Sequence, residues 1–311
     1  MHKTIVTCVL LLLCLTGKAQ SDPLKMDFQL VVDNDAFTLD LSQDQYYSSG
    51  IYAAARFLMD STRAVKRVRT YQLNHRIYTP SWIGWDSPSL LDRPYAGTLS
   101  ATLGNEYYFP GNHYLKAHLE IGWMGPGSLV GQTQKTWHRW FGMPEPKGWK
   151  YQINNSPIVN LHLKYAKALI STRNFELVSE STVSAGSIYN LARQELVVRF
   201  GELKPLSQSA YVSASIGNQK EKRIEPSLTE IYFFYAPGLE YVLYNATLEG
   251  NLIGKKSEYA TEAIDWVWQH KAGLMMSWPR FDLAFTAYWR TRENPEALPH
   301  DYVAIRMNQR F

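Results

Sequence analysis

In residues 113–123, HYLKAHLEIGW, side chains alternate with a period of two. Leu115, Ala117, Leu119, Ile121 and Trp123 fall on one face, and Lys116, His118 and Glu120 on the other. VNLHLKY repeats the pattern, with Val159, Leu161, Leu163 and Tyr165 opposing Asn160, His162 and Lys164. RFDLAFTAYW puts Phe281, Leu283, Phe285 and Trp289 on its apolar side. Successive residues of a strand point to opposite faces, so these segments read as half-buried strands. Beyond the first residues, no stretch approaches the roughly 20 consecutive apolar residues that a membrane helix needs. A chain of this pattern can cross a membrane only as a closed barrel, which pairs every backbone group. Segments of about ten residues separated by turn clusters (GNH, KPLSQS, NPEALP) match outer-membrane strands. The charges opposite the apolar stripes suit a watery lumen. The expected fold is therefore all-β, an antiparallel transmembrane β-barrel, with a short helical turn in one loop.

The two ends of the chain point to the same compartment. Lys3, the apolar run from Ile5 to Leu15 and the small residues Gly17 and Ala19 predict a signal peptide over 1–19. Leu13 stands where lipidation of Cys14 would call for a small residue. Cys8 and Cys14 are the chain's two cysteines, so beyond the leader neither disulfides nor thiol chemistry are available. Removing Lys3 and Lys18 from 32 basic residues leaves 30 against 28 acidic ones, which is no footprint for nucleic acid. Residues 20–311 show no internal repeat or linker and read as one barrel domain, with 20–24 as a short lead-in. The chain closes on YVAIRMNQRF, where Val303, Ile305 and Met307 alternate ahead of Phe311. A terminal aromatic on an amphipathic strand resembles the signal read by the bacterial barrel-assembly machinery, an expected partner.

Three polar clusters interrupt the pattern. In LVVDNDAF, Phe28, Leu30 and Val32 face lipid, which gives Asp33 and Asp35 the inward parity, with Asn34 at the strand's end. Clustered carboxylate and amide oxygens are ligands for hard cations such as calcium, although a lumen carboxylate pair beside a turn residue explains them equally. In YYSSGIYAAARF, outward Ile51, Ala53, Ala55 and Phe57 leave Ser48, Tyr52 and Arg56 inside. Ser48 before Gly50 is also ordinary turn chemistry. The third cluster is GQTQKTWHRWFG, bracketed by Gly131 and Gly142 with Pro144 as a stop. Gln134 and His138 are four residues apart and share one helix face. A lone histidine is most often structural, so these residues establish a barrel with a polar cluster and no more.

In this order, DNDAF, YYSSG, HRIYTP, DRPYAG and GPGSLVGQTQKTWHRWFGMPEPKGWKYQ resemble the lipid A 3-O-deacylases of the LpxR type. The resemblance runs from Asp33 to about Gln152; beyond that it rests on strand pattern. It implies a barrel of about twelve strands, within the range of this class. The implied site lies between the barrel wall and the outer leaflet, and uses Ca²⁺ to remove the 3'-linked acyloxyacyl chain of lipid A, the lipid anchor of lipopolysaccharide. By position, the family's Asn-Asp pair falls on Asn34 and Asp35, its threonine on Ser48, and its Gln-x-x-x-His on Gln134 and His138. A family glutamate finds its nearest match in Glu145, displaced by one position. Where the family often carries an acidic residue after the GW..Q motif, this chain has Asn155 and Ser156.

The implied chemistry is coherent. An imidazole titrates near neutral pH and can take a proton from water. Calcium can polarise an ester carbonyl as a Lewis acid. His138 is then the expected base, Gln134 its orienting partner, and Asn34, Asp35 and Ser48, with Glu145 as a further ligand, the cation and oxyanion environment. Two other readings compete: a non-catalytic barrel serving as a narrow channel, and a scaffold that binds a lipid or sugar without cleaving it.

Overall fold

Alternating strands that bury neither face against a second sheet must close on themselves, and this chain does so. The computed structural model describes residues 24–38, 45–62, 64–218 and 229–311; the expected leader over 1–19 lies outside them. The strands are β1 (Met26–Asn34), β2 (Tyr46–Ser61), β3 (Lys66–Thr79), β4 (Ala96–Phe109), β5 (His113–Met124) and β6 (Ser156–Ser171). They continue as β7 (Phe175–Gly186), β8 (Tyr189–Glu202), β9 (Glu230–Asn245), β10 (Trp266–Ser277), β11 (Phe281–Arg290) and β12 (His300–Arg310). Each pairs antiparallel with its neighbour in sequence, and β12 returns to β1 in register from Asp27↔Arg310 to Asn34↔Val303. No helix among the described residues is long and apolar enough to cross a membrane.

The register confirms the expected faces. Leu99 pairs with Trp123 and Leu103 with Leu119, all exposed on the outer wall, whereas Ser100 and Thr102 between them, and Glu106 beyond, are buried inside. Short turns join β4 to β5, β6 to β7 and β10 to β11 at the end that carries Met26 and Phe311. Long connections, 80–95, 125–155 and 246–265, cluster at the other end. In barrels of this kind short turns face the periplasm and long loops the outside.

The connection after β8 breaks that rule and corrects one expectation. Instead of leaving a watery lumen, residues 203–218 fold back into the barrel through two 3₁₀ turns, Leu206–Gln208 and Ala210–Val212. Ala210, Val212, Ala214 and Ile216 are buried in one apolar cluster with wall residues such as Val68, Tyr114 and Val197. Backbone groups buried here need partners, and the wall supplies them. Arg56 donates to the Ser213 carbonyl at 2.8 Å, Tyr108 to that of Val212 at 3.0 Å, and Arg306 to that of Ala210 at 2.7 Å. The Ala210 amide in turn donates to Glu230 at 2.8 Å. The lumen charges face each other across short ion pairs, among them Arg76–Glu120 at 2.8 Å, Lys164–Glu180 at 2.7 Å and Lys271–Glu195 at 2.7 Å. Above the plug, a cavity of about 280 Å³ remains, lined by Asp33, Tyr47, Arg76, Tyr189, Glu240 and Tyr302 among others.

Candidate active site on the outer wall

The helix foreseen between Gly131 and Gly142 spans Val130–Phe141 and is here called α1. Val130, Gln134 and His138, spaced by four, form its buried line. Gly142 ends it in the left-handed conformation (φ 65°), a geometry that costs glycine little, and its N–H donates to the His138 carbonyl. α1 packs against β3 and β4. Its first turn rests on Gly97, where an added Cβ would stand 2.5 Å from that of Val130. Gly97 belongs to the outward set of β4, as Leu99 and Leu103 do. The helix is therefore held against the outside of the barrel, its Val130 set in an apolar seat of Ile77, Ile83, Tyr95 and Trp149.

That seat orients the two polar side chains. The Trp149 Nε1–H donates to Gln134 Oε1 at 2.7 Å. An indole only donates, so the amide oxygen must face Trp149 and the NH₂ turns away from it. His138 Nδ1 lies 2.6 Å from the Pro144 carbonyl oxygen. A carbonyl only accepts, so Nδ1 carries a proton, and in the neutral form of the ring Nε2 is the basic nitrogen. Gln134 and His138 thus lie on a single buried face, each fixed by a named partner. Trp149 and Pro144 lay inside a quoted motif, but their role was not foreseen, because it depends on which side of the helix meets the wall.

The other predicted residues gather at the mouth of β1 and β2. Asn34 Oδ1 accepts from the Ala36 amide at 2.8 Å and caps the 3₁₀ turn Asp35–Phe37. Asp35 is buried; its carboxylate accepts from the amides of Ala36 at 2.8 Å and Gln45 at 2.7 Å. Ser48, also buried, occupies a β-bulge: β2 pairs with β3 through Tyr47↔Tyr78 and then Ser49↔Ile77, skipping it. The bulge brings Tyr47 to the lumen, where it donates to Asp33 at 2.9 Å. Ser49 faces Asn34 across the β1–β2 pair, so Asn34, Asp35 and Ser48 share one corner. That corner adjoins the seat of α1, since Ser49, next to Ser48, pairs with Ile77 of the seat. Glu145 is exposed, one residue past the carbonyl that orients His138.

A family model described as outer membrane protein LpxR matches residues 5–311. The chain belongs to the LpxR family. It is an outer-membrane barrel, and the match extends well past the N-terminal half in which the family's motifs are legible. Among solved structures, LpxR from Salmonella typhimurium aligns with a TM-score of 0.73 at 17% identity, over 92% of this chain and 100% of that one. The β domain of the Bordetella autotransporter BrkA aligns at 0.47 and 8% identity, over 92% of this chain and 99% of that one. An outer membrane channel from Pseudomonas putida F1 aligns at 0.46 and 10%, over 95% and 100%. No curated protein sequence matches the chain.

The expected ligand chemistry can be tested against the LpxR-family corner. Asn34 and Asp35 offer only oxygens, which suits calcium. Among the described residues, however, no three His, Cys, Asp or Glu side chains form a metal-holding group, so Asp35, His138 and Glu145 do not make one together. Calcium takes six to eight oxygens, and backbone carbonyls or water commonly complete its shell. The side chains at this corner that could serve such an ion are Asn34 and Asp35, through oxygens that here accept the Ala36 and Gln45 amides.

Proposed function

We propose that this chain is a lipid A 3-O-deacylase that hydrolyses the 3'-linked acyloxyacyl ester of lipopolysaccharide from the lipid-facing side of its barrel. The observation that carries the reading is the placement of Gln134 and His138 on a helix seated outside the wall, each oriented by a fixed partner. An acyl ester of a membrane lipid lies on that side and never in the lumen. Membership of the LpxR family supports the same assignment.

In this mechanism His138 Nε2 takes a proton from a water as its oxygen attacks the ester carbonyl carbon. The Gln134 NH₂ donates to the oxygen on which negative charge develops. When the tetrahedral carbon collapses, the imidazolium returns the proton to the departing sugar hydroxyl, and the fatty acid is released. Asn34 and Asp35 would hold a calcium ion, which would polarise the ester carbonyl when bound. Ser48 adds a hydroxyl to that corner. The leader over 1–19 directs export, and the strand ending in Phe311 is the handle for the assembly machinery.

Two experiments test this reading. Purified barrel in detergent is mixed with lipid A, and mass spectrometry follows loss of the acyloxyacyl unit. Chelation with EGTA is expected to abolish the loss and added Ca²⁺ to restore it; unchanged turnover in EGTA would leave Asn34 and Asp35 as turn caps only. The second experiment addresses the channel alternative, which the plug opposes. Replacing residues 204–218 by a short Gly-Ser link is expected to raise single-channel conductance from near zero to a resolvable step. Equal conductance in the intact barrel would favour a pore.

A further inference from the structure

The ladder between β8 and β9 has a gap. It runs from Leu191↔Val242 to Glu195↔Gly238 and resumes at Val198↔Tyr235 in the same register. Leu196↔Pro237 and Val197↔Ala236 are the pairs it omits. In the alternating pattern of an antiparallel pair, both of them require one bond, from the amide of residue 237 to the Leu196 carbonyl. Proline has no N–H to give. The ladder of β9 with β10 runs unbroken through Pro237↔His270, so the missing donor falls on the β8 side. The Leu196 carbonyl therefore lacks its ladder donor.

Neither side of the sheet replaces that donor with water. Toward the lumen, Val197 and Ala236 are buried in the apolar cluster that holds the plug. Toward the outside, Leu196 lies exposed on the lipid face. The line of paired residues through Ser181 and Gln194 begins at Arg67, near the inner end of β3. As the strands tilt, it reaches Trp268 near the outer end of β10. The gap, two residues from Gln194, lies between these limits at the depth of the bilayer. An unpaired backbone carbonyl is strongly unfavourable there.

Polar side chains face lipid beside the gap. Ser181 donates to Gln194 Oε1 at 2.5 Å, and Gln194 Nε2 donates to Ser179 at 3.0 Å and to the Glu195 carbonyl at 3.1 Å. The Ser179 hydroxyl keeps a hydrogen to donate, and Gln194 Oε1 keeps a second lone pair. One donor and one acceptor side by side make a self-complementary patch. Two barrels inserted the same way are related by an axis along the membrane normal, so this patch meets its own copy at equal depth. Ser179 of each copy can then donate to Gln194 of the other, the reciprocal pattern of a two-fold interface.

We propose that the β7–β9 seam is an interface at which a second copy of this chain docks within the membrane. The second copy replaces acyl chains over the Leu196 carbonyl with groups that can donate. The interface forms whether or not either copy cleaves an ester.

Cys8 and Cys14 both fall in the expected leader, so one added cysteine stands alone once that leader is gone. Purified barrels carrying Leu196→Cys, or Leu73→Cys on β3 across the wall, are placed in phosphatidylcholine–phosphatidylglycerol vesicles and oxidised. Disulfide-linked dimers are expected several-fold more often from position 196 than from position 73. Equal yields would mean random collision and overturn the proposal. Adding Gln194→Leu, which removes the amide, or Pro237→Ala, which supplies the missing N–H, is expected to lower the yield at 196 several-fold. A yield that neither change lowers would overturn it too. Barrels labelled with a dye at Leu73→Cys are counted by photobleaching in the same vesicles, which needs no disulfide geometry. Two-step bleaching is expected with Gln194 and Pro237 in place, and single steps throughout would overturn the interface. The mobility shift on heating confirms that each variant is a folded barrel.

Discussion

His138→Ala is expected to lower lipid A turnover by about 10²–10⁴-fold, the usual contribution of a positioned acid–base group. The barrel should remain folded. His138 sits on a helix in the β5–β6 connection, and its Nδ1–H bond to Pro144 ties that helix to its own following turn, not to a strand. Losing one such bond costs about 1 kcal/mol, and the fall in rate cannot be mistaken for loss of the wall. Turnover by mass spectrometry and the heat-dependent gel shift, taken on the same preparation, separate the two. Partial rescue by added imidazole would identify the missing group as the base. A variant that retains turnover within a few-fold of the parent would reduce His138 to a helix-end tether, and the hydrolytic mechanism would fall with it.

The second large effect concerns the wall. Arg56 is fully buried and donates to Asp27 at 2.9 Å, Glu106 at 2.7 Å, Tyr108 at 3.1 Å and the plug carbonyl of Ser213 at 2.8 Å. Arg56→Met strands two buried carboxylates and a carbonyl, and is expected to destabilise the barrel by about 3–5 kcal/mol. Urea unfolding in detergent, followed by the gel shift, measures it. The triple variant Arg56→Met, Asp27→Asn, Glu106→Gln removes the charges together and is expected to recover much of the loss, since replacing a whole buried ion network is far less harmful than breaking one. If the single variant unfolds with the parent, the network stabilises nothing.

The wall was legible because lipid on one side and packed polar groups on the other force the chain into strict alternation. Leu115 to Trp123 shows it without any alignment. The helix was legible from its glycine brackets and from the four-residue step between Gln134 and His138. Its side of the wall was not, since that depends on the missing Cβ of Gly97, more than 30 residues earlier in the chain. The bulge at Ser48 was hidden in a run of polar residues that read as a plain strand start. The plug was the largest omission. KPLSQS looked like a turn, and whether such a segment stays outside or folds inward is decided by Arg56, Tyr108 and Arg306, none of them its sequence neighbours.

The seam between β1 and β12 carries a consequence for how the molecule comes into being. Asp27 pairs with Arg310, and the Met26 carbonyl accepts from the Phe311 amide at 2.8 Å, so the first residues of the wall hold the last. Contacts between positions so distant are slow to form, because the chain between them must first be brought to order. Until the final strand has been synthesised and delivered, β1 keeps one open edge of unpaired backbone, which a bilayer does not tolerate. Every nascent form shorter than the whole is therefore a template for strand addition, and a truncation of even the last eleven residues should yield a protein that must be escorted or destroyed, not a smaller barrel.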